Sequence, residues 1–315
     1  MRRYCEIVFD RVTEGFASRP EQHQIPNPTT AAAVPLPLAR EAWGKVRVLY
    51  ENQLSDTNKY KSFGEQLILI KTKRILSHLR RAADTYNMID DGDKIAVGVS
   101  AGKDSLTLLY GLSQLKLFYP KKFDIIAITI DCGFDNIDFI EIKKLCNELN
   151  VEYHIIPVNI KHIVFDIRKE KNPCSLCSKL RHGALNKAAK NLGCNKVALA
   201  HHLDDSVETF MLNLIYESRL GSFSPVTYLD RSDLTLIRPL IYAPEKEIKS
   251  FVKNINLPVV KNTCPADKNT RREEVKILLR DMSKKYRNFK YNIFSAIEKA
   301  EIDGYVNPEK IKRSD

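Results

Sequence analysis

Lys94 to Leu109 reads KIAVGVSAGKDSLTLL. Its opening, Ile95 to Val99, is an apolar run compact enough for a buried strand. Ser100, Ala101, Gly102, Lys103, Asp104 and Ser105 follow as a small polar loop, and Leu106 to Leu109 opens a helix. A buried strand feeding a glycine-containing loop and a helix N-terminus holds phosphate well. Free backbone N–H groups and the positive end of the helix dipole face the anion there. Ser100 and Ser105 can add hydroxyl donors, and Lys103 adds a point charge. The spacing is neither GxxxxGKS/T nor GxGxxG, since Gly98 and Gly102 are the only glycines near the turn.

The chain has 315 residues, of which 43% are hydrophobic, enough for one substantial α/β domain with attachments. A formal net charge of +11 points to a polyanionic partner. No apolar run approaches the roughly 18 residues that span a bilayer, so no membrane partner is expected. The first residues, MRRYCEIVFDRVTEGF, carry charges where a signal peptide needs an apolar stretch. Both features lead to a cytoplasmic expectation. Seven cysteines in such a chain do not make a disulfide framework, and clustered ones read as ligands or redox groups.

Residues 1–57 read as an unassigned, linker-like extension, with five prolines between Arg19 and Ala39. Residues 58–90 follow as a basic amphipathic helical region, in which Ile68, Ile75, Leu79, Ala82 and Tyr86 recur at helical spacing between Lys71, Lys73, Arg74, Arg80 and Arg81. That basic face suits RNA contact or plain solvation. From 91 to 260 the texture is strand–helix alternation. Strands are expected at Ile95–Val99, Asp124–Asp131, Val151–Val158, Lys196–Ala200 and Leu234–Arg238, with helices between them. Such alternation predicts a doubly wound, parallel, five-stranded α/β sheet, with ligands at the carboxyl ends of its strands. Asp131, at the end of the second strand, can meet nucleoside hydroxyls or a Mg²⁺ ion there, or simply cap the next turn.

Lys161 to Pro173 reads as a loop that delivers Pro173 to Gly183, PCSLCSKLRHG. Cys174 and Cys177, three apart at a helix start, can present both thiolates to one metal, and the helix N-terminus lowers their pKa. Cys132 follows the second strand, while Cys146 and Cys194 read as packing residues. Gly193 caps the helix that follows. The fourth strand runs into His201, His202, Leu203, Asp204 and Asp205 and then a helix. Two imidazoles and two carboxylates at a strand's carboxyl end suit nucleotide–metal chemistry, with Asp204 or Asp205 on Mg²⁺ through oxygen. The alternative is an N-cap by Asp204 with the rest as solvated surface. Helix spacing sets Asp205 and Thr209 on one face. Residues 261–315 form a basic helical tail containing Cys264, and between Arg271 and Lys290 the basic residues interleave with Tyr286, Phe289 and Tyr291. That pattern suits RNA backbone and base stacking, or a solvated helix that closes the domain.

The SAGKDS loop resembles the SGGxDS pyrophosphatase loop of PP-loop ATPases, with Ala101 where those enzymes usually carry glycine. Since alanine resists positive φ, the resemblance requires a negative φ at Ala101. SAGKDS, CSLCSKLRHG, AHHLDDSVET, IRPL and the later Cys264 together resemble the TtcA-type tRNA-cytidine 2-sulfurtransferases, over roughly Lys71 to Leu279. The resemblance implies a PP-loop domain (an adenine nucleotide α-hydrolase-like fold), ATP with Mg²⁺, and a [4Fe-4S] cluster held by three cysteines. The implied activity thiolates C2 of cytidine 32 in tRNA and releases AMP and pyrophosphate. Carried over by position, Ser100, Ala101, Gly102, Lys103, Asp104, Ser105, Asp131, His201 and Asp205 bind the nucleotide. Asp104 and Asp204 place Mg²⁺, and Cys174, Cys177 and Cys264 hold the cluster. Lys103, Asp104, Cys174 and Cys177 are the residues expected to carry catalysis.

Many relatives carry a second late CxxC; here Lys261, Asn262 and Thr263 precede Cys264, which leaves the one late cysteine that is needed. Three thiolates leave one iron open to exogenous sulfide. A sulfur donor such as a cysteine desulfurase is an expected partner, and a homodimer stays open. The rival readings are a uridine thiolase, a lysidine-synthetase-like ligase that needs no cluster, and a non-catalytic RNA-binding module with a zinc site.

Overall fold

The computed structural model describes residues 63–134, 138–168, 173–260 and 271–306. The chain divides into two units, residues 1–66 and 67–315, and the second carries the sheet. The linker-like extension expected at 1–57 lies outside the described residues.

Six strands form one sheet: β1 (Asp93–Gly98), β2 (Phe123–Asp131), β3 (Glu152–Pro157), β4 (Lys196–Ala198), β5 (Val226–Leu229) and β6 (Leu234–Ile237). Their order is β3-β2-β1-β4-β6-β5. All neighbours are parallel except β5, which runs antiparallel to β6. The expected five-stranded sheet is therefore corrected to six. The extra strand is one arm of a hairpin whose turn contains Asp233 at φ 49°, held by Ser232 N–H donating to Leu229 O. A four-residue edge strand with polar neighbours leaves little periodic pattern to find.

The helices are α1 (Phe63–Thr85), α2 (Lys103–Leu115), α3 (Ile140–Glu148), α4 (Pro173–Asn191), α5 (Leu203–Glu217), α6 (Glu245–Ile255), α7 (Arg271–Lys285) and α8 (Phe289–Lys299). The stretch expected as loop before α4 includes a π-helical turn, His162–Ile167. No helix among the described residues is long and apolar enough to cross a membrane.

Side chains alternate across the sheet as a pleat requires. Ile95 and Val97 of β1 enter the larger core with Ile75 and Leu79 of α1 and Leu108 and Leu112 of α2. Ala96 points the other way, into a core with Leu185 and Ala189 of α4 and Val197 of β4. Helices thus cover both faces. On the first face α1 presses on α2 at Gly111, where a Cβ would come 2.2 Å from Leu79 Cδ1. That approach explains a glycine inside a helix despite its cost there of roughly 1 kcal/mol.

The rim at the amino ends of the strands is closed by charge. Lys196 Nζ, buried, donates to Asp90 Oδ2 at 2.8 Å and to Met88 O at 3.1 Å, and stands 2.7 Å from Asp93 Oδ2. Asn195 Nδ2 donates to Asp93 Oδ1 at 2.6 Å. A buried ammonium is tolerable only with such a set of acceptors.

Candidate active site at the reversal of strand order

The strand order reverses between β1 and β4, so the loops after them diverge and leave a crevice at their carboxyl ends. The first loop is Ser100 to Gly102, followed by the opening turn of α2. Gly102 is the N-cap in extended conformation and no side chain caps the turn. The first amides of α2 are therefore left for a ligand.

Ala101 has φ +63°, which corrects the negative φ expected from its Cβ. Left-handed backbone costs an L-residue roughly 1–2 kcal/mol. Two features hold it. The methyl group is buried in the larger core, and the Ala101 carbonyl accepts the Val260 N–H at 3.0 Å.

Ser105 shapes the loop. Its hydroxyl accepts from Ser100 N–H at 3.1 Å and from Ser100 Oγ–H at 3.2 Å, and donates to Gly102 O at 3.0 Å. A hydroxyl has one donor and two acceptor positions, so Ser105 is saturated. The donor expected from it is spent on the loop, whereas Ser100 is exposed at the loop's surface.

Lys103 Nζ donates to Asp104 Oδ2 at 2.8 Å and pairs with Glu245 Oε1 at 3.2 Å. Burial works against the ammonium, but Asp104 and then Glu245 outweigh it, and its pKa is raised. Burial also opposes ionisation of Glu245, yet Lys249 and Lys103 together bring it down to about 2. Both groups are therefore charged at neutral pH.

The second loop delivers His202, the N-cap of α5, in a reciprocal box with Asp205. His202 N–H donates to Asp205 Oδ2 at 3.0 Å, and Asp205 N–H donates to His202 Nδ1 at 3.4 Å. Accepting at Nδ1 puts the neutral ring's proton on Nε2, which lies 3.7 Å from Asp104 Oδ1. Asp104, His202 and Asp205 are thus brought together. Asp204 is turned to another task. Its Oδ2 accepts the Glu245 N–H at the start of α6 and its Oδ1 accepts Lys290 Nζ, each at 2.7 Å. The expected Mg²⁺ ligand is committed to joining α5, α6 and α8.

His201 accepts from Arg238 Nε at 3.2 Å and packs at a tilt against Phe223, with ring centroids 4.9 Å apart. Asp131 spends Oδ1 on Gly133 N–H at 3.0 Å, the turn-capping alternative. Thr209 is buried and its hydroxyl accepts from Arg272 Nη2 at 2.9 Å.

The cysteines of α4 lie on the same rim. Pro173 opens the helix, Cys174 is exposed and Cys177 half-buried. Cys132, just past the end of β2, points its S–H at Ile130 O, 3.6 Å away, and sits in the small cluster against which Cys177 packs. Cys132, aided by the Arg181 guanidinium one turn on, lowers the Cys177 pKa against the effect of burial. Cys177, with burial, in turn raises that of Cys132. Two soft thiol ligands in the first turn of a helix, one already inclined to the thiolate, fit an iron–sulfur centre. Among the described residues no three His, Cys, Asp or Glu side chains stand close enough to hold a metal ion by themselves. Cys264, the expected third ligand, lies outside the described residues, in a segment entered from Val260 beside the anion loop and left at the start of α7. For Mg²⁺, Asp104 and Asp205 suffice, since that ion takes one or two carboxylates with substrate phosphates and water.

Glu245, Lys290, Val260 and Cys132 were not among the residues expected here. Each reaches the site from a distant segment, and no local spacing announces it.

A family model described as PP-loop domain matches residues 73–283. The tRNA-cytidine(32) 2-sulfurtransferase of Geobacter sulfurreducens is 36% identical over 231 residues, covering 72% of this chain and 90% of that protein. Its namesake from Actinobacillus pleuropneumoniae is 36% identical over 259 residues, covering 80% and 81%. Among solved structures, the U34-tRNA thiolase NcsA of Methanococcus maripaludis with its [4Fe-4S] cluster is 27% identical. It covers 72% of this chain and 78% of that one, with a TM-score of 0.61.

Proposed function

This chain belongs to the PP-loop family and, within it, to the tRNA-cytidine(32) 2-sulfurtransferases, and from that premise we propose that it uses ATP to replace the C2 oxygen of cytidine 32 in tRNA by sulfur. The observation that carries the reading is that the anion loop after β1, the Asp104–His202–Asp205 group and the cysteines beside β2 share one rim of the sheet. Exchange of a carbonyl oxygen for sulfur needs that oxygen made into a leaving group. Adenylation achieves this: the C2 oxygen attacks the α-phosphorus of ATP, pyrophosphate departs, and AMP later leaves with the oxygen.

The α2 N-terminus and Ser100 receive the departing pyrophosphate, whose growing charge meets preorganised N–H dipoles. Asp104 and Asp205 would place Mg²⁺, with His202 Nε2 3.7 Å from the Asp104 carboxylate. Lys103 bridges Asp104 and Glu245, and so fixes the start of α6 against the loop. Cys174 and Cys177, with Cys264, would hold a [4Fe-4S] cluster, which would supply a site for the incoming sulfur. Sulfur then comes from a donor of the cysteine-desulfurase kind. We assign tRNA contact to α7 and α8, where exposed Tyr286 and Tyr291 stand among Lys284, Lys285 and Arg287. A cytoplasmic location suits a tRNA substrate.

The test is mass spectrometry of tRNA nucleosides from cells with and without this chain. Loss of 2-thiocytidine alone is expected. Loss of 2-thiouridine with 2-thiocytidine intact would transfer the chain to the uridine thiolases. In vitro, Asp104→Ala should stop AMP release and keep the cluster, whereas Cys264→Ser should keep ATP binding and lose the cluster.

A further inference from the structure

Cys132 has no part in the ligand set proposed above, yet it is the buried cysteine nearest that chemistry. It lies at the carboxyl end of β2 with 9% of its surface exposed, inside a small cluster with Ile160 and Val164. Its backbone is held by Lys161 N–H donating to Cys132 O at 2.9 Å and Val158 N–H donating to Asp131 O at 2.8 Å. Its thiol stands 3.6 Å from Ile130 O. Cys177 packs against this same cluster, whereas Cys174 does not and is exposed. The two thiols thus share one packed cluster and each acts on the other's ionisation, the proximity a disulfide requires.

We infer that Cys132 and Cys177 are a redox pair, which closes as a disulfide in the cluster-free chain under oxidation and withholds Cys177 from metal until it is reduced. Both S–H bonds break and one S–S bond forms. Two electrons and two protons pass to a low-molecular-weight disulfide such as oxidised glutathione, which leaves as two thiols. The pair would keep an unloaded ligand from climbing to sulfinic acid, which is not readily reversed. The disulfide stands on the contact alone. Its effect on metal loading rests on the reading of Cys177 as a ligand.

The full chain, stripped of metal and reduced, is treated with oxidised glutathione, alkylated and digested without reductant. A peptide pair linking Cys132 to Cys177 is expected, with Cys174 alkylated. In Cys132→Ser, treated alike, Cys177 should be found alkylated. A Cys174–Cys177 link in either protein, or no Cys132–Cys177 link in the wild type, overturns the pair. Cobalt(II) then probes loading, because it needs no sulfide that would itself cleave a disulfide. Its thiolate charge-transfer band should fall at least about tenfold on oxidation and return with dithiothreitol. A linked chain that binds cobalt as well as the reduced one overturns the withholding. A reduced chain that shows no thiolate band speaks against the ligand reading and leaves the disulfide to be decided by mass.

Discussion

The Val260 amide donates to the Ala101 carbonyl over 3.0 Å, and so pins the one left-handed residue of the anion loop to the chain that leads toward Cys264. Because Ala101 is only 3% exposed, its methyl cannot swing away to relieve the strain. Ala101→Gly removes strain but also a buried methyl, and it frees the unfolded chain by roughly 0.4–1 kcal/mol. Stability is expected to stay within about 1 kcal/mol of wild type, with ATP turnover kept. Ala101→Val, β-branched at positive φ, should cost at least about 2 kcal/mol in urea denaturation. A valine variant as stable as wild type would refute the strained loop.

Ser105 and Ser100 should separate by substitution. Ser105→Ala leaves the Ser100 N–H and Gly102 O without their partner, for a loss of about 1–2 kcal/mol and a KM for ATP raised on the order of tenfold. Ser100→Ala should raise that KM while leaving the urea midpoint where it was. Equal midpoints for both variants would deny Ser105 its bracing role.

Asp204 and Lys290 make a mostly buried pair, with side chains 9% and 28% exposed. Removing one partner strands the other and one α6 amide, so Asp204→Ala should cost about 3 kcal/mol. A cycle with Lys290→Met should return a coupling of about 1–2 kcal/mol. A variant of Asp204 that keeps its stability and needs more Mg²⁺ would mark the residue as a metal ligand instead.

Glu208 gives a pH signature. Burial pushes its carboxyl up to about 7, against Arg272 and Lys276 and with some help from Asp205 and Asp204. An acid with a higher pKa folded than unfolded holds its proton better in the native state. Stability therefore falls as pH rises from about 4.5 towards 7, by up to roughly 3 kcal/mol. Glu208→Gln should flatten that decline in melting curves taken from pH 5 to 8. An unchanged slope would mean that Arg272 and Lys276 keep the group ionised throughout.

What could be read beforehand was local. The apolar run at Ile95, the polar loop after it and the CxxC at a helix start are written in consecutive residues, and all three stand where expected. Gly193 at φ 72° ends α4 as foreseen. The rest is tertiary. Asp204 looks like its neighbour Asp205 until Lys290, 86 positions on, takes its carboxylate. Ala101 adopts positive φ because the core and Val260 outweigh its intrinsic preference. Cys132 read as one cysteine after a strand, and nothing near it in the chain gives away Cys177. β5 leaves no trace in the sequence, because a short edge strand owes its existence to β6 rather than to its own pattern.

The buried Lys196 knot closes the sheet at the end opposite the anion loop. Its acceptors, Asp90, Asp93 and Met88, contribute nothing to the crevice. One source of resistance to heat is therefore separated in space from the crevice. Laboratory evolution toward a hardier protein has room to work at the Lys196 end without retuning the chemistry.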